Sequence, residues 1–433
     1  MSSSPTHTSE SQVDQKDHSS TSSDHEVSPP EFVDGGRDGW MTLLGAWFIL
    51  FGTFGYLYAF GVYQDYYTRF FLSNSSPSKI AWIGSFQLAM PFLLGIVSGK
   101  LFDAGYFHFA VILGSCIFTA CLFLLSLTKP QRYFEVFLSQ GVGMGIGAGL
   151  TFIATVSISV HHFRRRKALA TGIVMSGSSI GAVIYPIMIN KLLPKIGFAQ
   201  TVRASGYSVL GCLLIGNCLM RTAYDKYRNA GKPPLDIKSI VSDVPYLTST
   251  FGALIALFGF YFPLIYIQLY AATHGIDSNL AFYSIAIVNA SGAFGRLLGN
   301  FMADIYGVYT VVIPCTVITA VSIFTIFAIK TSGSLIAVSI FYGFFSGGWL
   351  SLSVSAISSL ARHPSEVGAR TGLAFALTSF GTLGAAPVQG ALLTSNFNWK
   401  VPIIFSGVFM CIAAAVFALT RQILVKERKT QKV

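Results

Sequence analysis

Charged residues are scarce in this sequence: Asp, Glu, Lys and Arg make up 11% of its 433 residues, whereas soluble domains carry roughly 25%. Hydrophobic residues make up 52%, and the mean hydropathy is +0.60. So few charges exclude an ordinary soluble enzyme of this length. The 29 lysines and arginines outnumber the 18 acids and give a net charge of +11. Because these cations stand mainly in short segments between apolar runs, they indicate membrane orientation and not a nucleic-acid partner.

The sequence also lacks the residue patterns that catalysis and metal binding require. Its six cysteines all stand in apolar runs, and none has metal-ligand or redox spacing to a histidine or a second cysteine. There is no nucleotide-binding glycine loop, and the apolar runs hold no catalytic grouping of His, Asp, Glu, Ser or Lys. These absences predict a protein that is not an enzyme, has no cofactor or metal, and is not driven by ATP.

What the sequence has in abundance is apolar runs of about 20 residues or more, the length that crosses a bilayer. The first six lie near residues 40–62, 80–100, 107–127, 133–159, 168–190 and 204–222. The second six lie near residues 246–270, 280–301, 310–329, 334–358, 369–393 and 401–421. We therefore predict an all-α membrane protein of twelve transmembrane helices in two six-helix bundles.

The domain boundaries follow from these runs. The bundles are predicted at 39–222 and 246–421, joined by a cytoplasmic linker at 223–245. The polar residues 1–38 have almost no apolar content and no signal-peptide core, so they are predicted to be a disordered cytoplasmic tail. Residues 422–433 form a second cytoplasmic tail. We refer to the twelve runs as spans 1–12.

Landmarks of the first half recur about 200 residues later, which indicates a duplicated half. Gly99 and Asp103 end span 2, and Asp304 ends span 8 beside further glycines. A basic stretch at 164–167 leads into the glycines and serines of span 5, and a similar glycine-rich stretch returns in span 11. Glycines let helices approach closely. We predict that Asp103 and Asp304 accept bonds from a neighbouring helix N-terminus, or from a basic residue such as Arg164, and that these contacts break as the halves move. The alternative is that both are solvated loop acids.

Orientation follows from the cations. With both termini in the cytosol, most lysines and arginines fall in cytoplasmic segments, and the reverse topology would reverse this bias. The sequon at Asn74 then lies in the first outer loop, where it predicts an N-glycan, with an unmodified surface asparagine as the alternative. We expect a multi-pass protein of the plasma membrane.

Several of these stretches resemble one family. Asp34-Gly35-Gly36 with Trp40, and the stretch from His162 to Gly181, resemble signatures of the monocarboxylate porter family of the major facilitator superfamily, in its fungal form. Residues 99–105 are similar to the superfamily's general loop motif. The resemblance covers about 34–421. It implies the major facilitator fold, alternating access, and a substrate site near the membrane midplane.

Two departures limit what the resemblance implies. Animal lactate carriers have a lysine in span 1 where this chain has Val62, and an aspartate four residues before an arginine that resembles Arg296. The aspartate's position is Gly292 here. Lactate, and proton symport by that mechanism, are therefore not implied, and uniport, exchange and proton coupling all stay open.

The candidate substrate-binding residues are polar groups inside the spans. Arg296 is the one cation placed deep in a span, where a charge costs roughly 2.5–3.5 kcal/mol. We predict that it binds a carboxylate or other anion, and the equal alternative is a structural arginine bonded to Asp304 or to carbonyls. Asn289 lies two helical turns earlier on nearly the same face. The other candidates are Tyr185, Gln140 and Tyr266, together with Gln87, Tyr261 and Gln268, and helix–helix hydrogen bonding is the alternative for each.

These observations predict a secondary carrier for a small organic anion or related metabolite. Its partners are the substrate, the lipid bilayer and, in the proton-coupled case, protons. Export of a fungal secondary metabolite and uptake of a nutrient such as a monocarboxylate or riboflavin both stay open. A membrane sensor that moves no solute is the alternative from another class, although its tails are short for signalling domains.

Overall fold

The computed structural model describes residues 34–222, 237–363, 366–393 and 398–433. Within these ranges eleven helical segments are long and apolar enough to cross a membrane. The longest, Lys167–Leu219, has 53 residues and changes direction at the non-helical Gly197, where φ is 75° and ψ is 174°. A straight helix of that length would measure about 80 Å, more than twice the hydrocarbon thickness. It therefore forms two spans, and the described chain contains the twelve predicted ones.

The observed bounds differ from the predicted ones mainly at the helix ends. Spans 1 to 6 are Gly36–Phe71, Pro77–Asp103, Phe107–Leu125, Tyr133–His162, 167–196 and 198–219. Spans 7 to 12 are Val244–Thr273, Ser278–Tyr306, Val308–Ala328, Ser332–Ser359, Val367–Leu393 and Lys400–Arg428.

Span 1 shows the largest difference from the predicted bounds. It begins at Gly36, within the segment assigned to the tail, and it ends at Phe71 and not near residue 62. Its last turns contain polar residues such as Gln64 and Asp65, which hydropathy places outside the bilayer but which continue the helix at the membrane boundary. The rest of the predicted tail, residues 1–33, and most of the linker, 223–236, lie outside the described residues.

The spans pack as two halves. Spans 1–6 form the N half and spans 7–12 the C half, and the main contacts between halves join span 5 to span 8 and span 2 to span 11. One side of the molecule, which we call the tail face, holds Asp34, the 4–5 loop at 163–166 and the end of span 12. The opposite side, the distal face, holds the loop after span 1, at 72–76, and the end of span 7.

Glycines allow the halves to touch at the tail face. A Cβ on Gly99 would lie 2.0 Å from the Gly368 carbonyl oxygen, and one on Gly372 would lie 2.1 Å from the Gly95 carbonyl oxygen. On the other side of the interface, a Cβ on Gly172 would lie 2.6 Å from the Arg296 carbonyl oxygen. Real Cβ atoms do not approach oxygen this closely, so any side chain here would separate the helices.

Candidate functional site

A cavity of about 530 Å³ lies between the N half and the C half. It runs from the middle of spans 1 and 5, at Tyr58 and Ala182, to their distal ends near Phe70 and Pro194. The C half closes it with span 7 and the first turns of span 8, including Phe282. Most of the lining is apolar or aromatic. The cavity therefore suits an organic molecule with a large apolar surface.

An aromatic seal closes the path between this cavity and the tail face. Tyr58 borders the cavity on one side and an enclosed void of about 10 Å³ on the other. Phe375 of the C half stacks on Phe92 of the N half with ring centroids 5.3 Å apart, and it meets Phe152 edge-on at 5.5 Å. Phe54 packs on Phe152 at 4.4 Å. We call these four phenylalanines the aromatic seal.

Arg296 connects the halves beside this void. Its side chain is 3% exposed, and Nη1 donates to the Met175 carbonyl and to Ser178 Oγ of span 5, both at 2.5 Å. Its Nε has no hydrogen-bond partner among the described residues. The phenols of Tyr58 and Tyr261 interact with its charge. The predicted pairing of Arg296 with Asp304 is wrong, because the Asp304 carboxylate bonds the start of span 5. The other structural alternative, a bond from Arg296 to a backbone carbonyl, is the one observed.

The predicted switch acids make a matching pair of contacts at the tail face. Asp103 of the N half accepts the backbone N–H groups of Gly368 and Ala369 at 3.0 and 2.6 Å, at the start of span 11. Asp304 of the C half accepts those of Ala168 and Leu169 at 3.0 and 2.9 Å, at the start of span 5. Helix N-termini carry partial positive charge and unpaired donors, so carboxylates bind well there. Both contacts cross between the halves.

The backbone of Arg164 is bonded to the start of span 1, and the predicted contact of its side chain with a switch acid stays a prediction. Asp34 accepts the backbone N–H of Arg164, and that of Arg165 at 3.0 Å. Gly35 N donates to the His162 carbonyl at 2.9 Å. Burial raises the pKa of Asp34, but the backbone donors from Arg164 to Arg166 and the charge of Arg165 outweigh it, so the pKa lies below its ordinary value. Asp34 thus fixes the loop that leads into span 5.

A buried charge cluster holds the start of span 11. The Arg370 side chain is 0% exposed; its Nη1 donates to Asp243 at 2.8 Å and its Nε to Glu366 at 3.1 Å. Nη1 also donates to the Leu360 carbonyl at 3.1 Å. Tyr246 of span 7 donates its hydroxyl to the Arg370 carbonyl at 2.8 Å. Sequence reading missed this cluster, because its acids come from the linker and the 10–11 loop.

Three of the other candidate residues make hydrogen bonds within one half of the molecule. Asn289 is 6% exposed and donates to the Ile285 carbonyl, one turn from the lining. Tyr266 donates to the Ala386 carbonyl at 3.3 Å, so it joins span 7 to span 11. Gln140 accepts from the Tyr67 hydroxyl at 2.6 Å.

Tyr185 packs inside the N half. Its ring centroid lies 5.3 Å from that of Phe51 and 5.2 Å from that of Tyr56. None of these four candidates lines the cavity; Gln268, also singled out from the sequence, does. Asn190 also lines the cavity, and sequence analysis missed it because hydropathy places that residue at a helix end.

Comparison with known proteins identifies relatives over nearly the whole chain. A family model described as the Major Facilitator Superfamily matches residues 41–301 and 285–433. The chain is 35% identical to the MFS-type transporter dbaD of Emericella nidulans, covering 89% of this chain and 86% of that one. It is 37% identical to the aspyridones efflux protein apdF of the same organism, covering 89% and 79%. The agnestins efflux protein AgnL12 of Paecilomyces divaricatus is 31% identical over 88% and 87%.

Solved structures of the same architecture are much more distant in sequence. The proton:xylose symporter XylE has a TM-score of 0.70 at 13% identity, covering 89% of this chain and 96% of that one. A bacterial homologue of the iron transporter ferroportin in its outward-facing state has a TM-score of 0.65 at 14% identity, covering 88% and 98%. At such low identity these structures show the fold alone.

Proposed function

The chain belongs to the Major Facilitator Superfamily, and on that premise we propose that it exports an apolar, ring-bearing organic metabolite. As a member it is a multi-pass membrane transporter that moves a small molecule by alternating access. The observation that carries the proposal is the cavity of about 530 Å³ with its apolar and aromatic lining, shared by both halves. Two of its relatives are named as efflux proteins, one for aspyridones and one for agnestins, which supports export.

The contacts at the tail face explain how this state holds the cavity open on one side only. Asp103, Asp304 and the aromatic seal all join the halves between the cavity and the tail face. Rocking of the halves has to break these contacts before a molecule can reach Arg296 and the void from the tail face. With the tail face in the cytosol, as we propose, the structure is the state that releases cargo outside.

Transport into proteoliposomes tests the proposal. The panel contains neutral aromatic compounds, aromatic carboxylates, riboflavin and lactate, each measured with and without a pH gradient. We expect accumulation of aromatic compounds and none of lactate. Dependence on the gradient would identify proton coupling, and independence would favour uniport or exchange. If none of the aromatic compounds moves, the proposed cargo is wrong.

A second candidate function is transport of an organic anion that pairs with Arg296. The unpaired Nε of this buried guanidinium is the observation that favours it. Asn289 and Tyr266 would then orient the bound anion from neighbouring positions, and Tyr185 and Gln140 would act by holding spans 1, 4 and 5. Arg296→Lys keeps the charge and Arg296→Met removes it. Carboxylate transport that survives in both variants, at normal membrane levels, would rule out the anion role.

We also propose a plasma-membrane location with both termini in the cytosol, and a place in the monocarboxylate porter family. The cation distribution supports the orientation. Asn74 is exposed on the distal face, and its backbone N–H donates to Gln131 Oε1 at 3.1 Å. Loss of a glycosidase-sensitive gel shift in Asn74→Gln would support both the glycan and this orientation. An epitope at the C-terminus that antibodies reach in intact cells would reverse the orientation.

A further inference from the structure

The walls of the cavity differ in one respect from those of an anion site. Among the described residues that line the cavity, Asp65 is the only ionisable side chain apart from the tyrosines. The lining contains no lysine or arginine. Asp65 forms an exposed ion pair with Arg69 at 2.8 Å. Lys191 and Lys195 lie on the same distal stretch of span 5 but are not part of the lining. The nearest buried cation, Arg296, lies beyond Tyr58 and already bonds span 5.

Two amide side chains supply the remaining polarity of the lining. Asn190 comes from span 5 of the N half, and Gln268 comes from span 7 of the C half. Neither side chain makes a hydrogen bond to another described residue. Each amide offers an N–H donor and a carbonyl acceptor at the same time. A carboxylate could use only the donors, and its charge would have to leave water for an apolar wall.

We propose that Asn190 and Gln268 determine specificity, and that the cavity selects a neutral aromatic molecule carrying a donor and an acceptor side by side, such as a carboxamide or lactam. Such a group satisfies both amides, and the apolar lining takes up the ring system. Because the amides belong to different halves, cargo that bonds both links the halves as the cavity closes. This inference rests on the proposed function and narrows it from organic metabolites in general to neutral ones.

Three isosteric fluorescent probes test the proposal: 6-phenyl-2-naphthamide, 6-phenyl-2-naphthoate and 2-acetyl-6-phenylnaphthalene. They share one ring system and carry, respectively, a neutral donor with acceptor, an anion, and an acceptor alone. Binding to the full-length protein in lipid nanodiscs is followed by fluorescence anisotropy. We expect the carboxamide to bind about five-fold more tightly than the ketone, the effect of one neutral hydrogen bond. The carboxylate is expected to bind about ten-fold or more weakly than the carboxamide.

Variants connect the preference to the two residues. Asn190→Leu and Gln268→Met should each remove about five-fold of carboxamide affinity. The ketone accepts a hydrogen bond from one amide only, so its affinity should fall in at most one of the two variants and stay within about two-fold in the other. Gln200→Met, at an exposed amide outside the lining, is the matched control and should change neither.

The outcomes separate this inference from the proposal on which it rests. Equal binding of carboxamide and ketone, or tightest binding of the carboxylate, overturns the specificity inference. The proposed function, a carrier for aromatic metabolites, is unaffected by that result. A loss of affinity for all three probes in both variants means that the two residues only shape the cavity, and it overturns the inference as well. Binding of none of the three by the wild-type protein, together with no aromatic transport in proteoliposomes, overturns both.

Discussion

The contacts of Asp103 and Asp304 lead to a quantitative prediction about the balance between the two states of the carrier. Asp103→Asn and Asp304→Asn each keep the side-chain shape but remove the charge and one acceptor oxygen. Each carboxylate accepts two backbone N–H bonds across the halves, at distances between 2.6 and 3.0 Å. Both contacts exist only while the tail face is closed, so each substitution should shift the molecule towards the state that opens there.

The size of the shift follows from the bonds that are lost. A hydrogen bond to a charged group contributes about 1.5–3 kcal/mol, and the helix N-terminus adds about 0.3–1 kcal/mol. Because asparagine retains one acceptor, we expect a loss of about 2 kcal/mol per variant, or about 30-fold in the equilibrium. The two contacts are separate, so the double variant should lose about 4 kcal/mol, or about a thousand-fold.

Cysteine labelling measures this equilibrium without any cargo. An Ile187→Cys reporter in the cavity, in a background with the six native cysteines replaced, is labelled from the distal face by a membrane-impermeant thiol reagent. Its labelling rate follows the population of the distal-open state. We expect a slower rate in each single variant and the slowest in the double variant.

The matched control is Asp277→Asn, the same change at an N-cap that makes no contact between halves. Asparagine caps a helix about as well as aspartate, so the labelling rate should stay unchanged. Gel filtration establishes that each variant is folded. A double variant that is folded and labels as fast as its parent would refute the assignment of these acids to the closed state.

Three further predictions concern the packing around this gate. Gly99→Ala places a methyl group against a backbone oxygen of span 11, so reporter labelling should slow as it does in the acid variants; an unchanged rate would mean that the helices separate without cost. Phe375→Ala removes the C-half ring of the aromatic seal and should weaken the distal-open state by about 3 kcal/mol. The control is Phe380→Ala on the same span, where the side chain is 65% exposed and labelling should stay unchanged. Equal effects of the two substitutions would show that the aromatic seal does not hold the tail face closed. Arg370→Met leaves Asp243 buried without its main partner and should destabilise the protein by about 3–5 kcal/mol. The loss is measured as a lower unfolding temperature in detergent. An unfolding temperature equal to that of the wild type would show that solvent or Arg362 replaces the lost partner.

The fold was predictable because its signal is local. Each span is a run of apolar residues, and hydrocarbon admits only backbones whose hydrogen bonds are satisfied internally. Twelve such runs in two sets, with landmarks repeated about 200 residues apart, are readable without any contact between them. The predicted separation of spans 5 and 6 corresponds in the structure to a single glycine at a positive φ inside an otherwise continuous helix.

The site was only partly predictable. Asp103 and Asp304 stood out because each follows a glycine-rich helix end, and both make the expected helix N-terminus contacts. Arg296 stood out because a cation in an apolar run is costly. Its partners could not be read from the sequence, because Met175 contributes only a carbonyl and Ser178 is one of three serines in span 5.

The sequence by itself determined that this protein is a membrane carrier with two duplicated halves. Hydropathy, cation placement and repeated glycines are patterns along the chain, and they can be read without knowing any tertiary contact. Only the tertiary structure decided which residues face the cavity and which face a neighbouring helix. Polar side chains in apolar spans look alike in sequence, yet Gln140 satisfies a tyrosine inside one half while Gln268 stands free in the cavity wall. That difference depends on helix rotation and on the approach of two halves distant in the chain, and no local pattern records either.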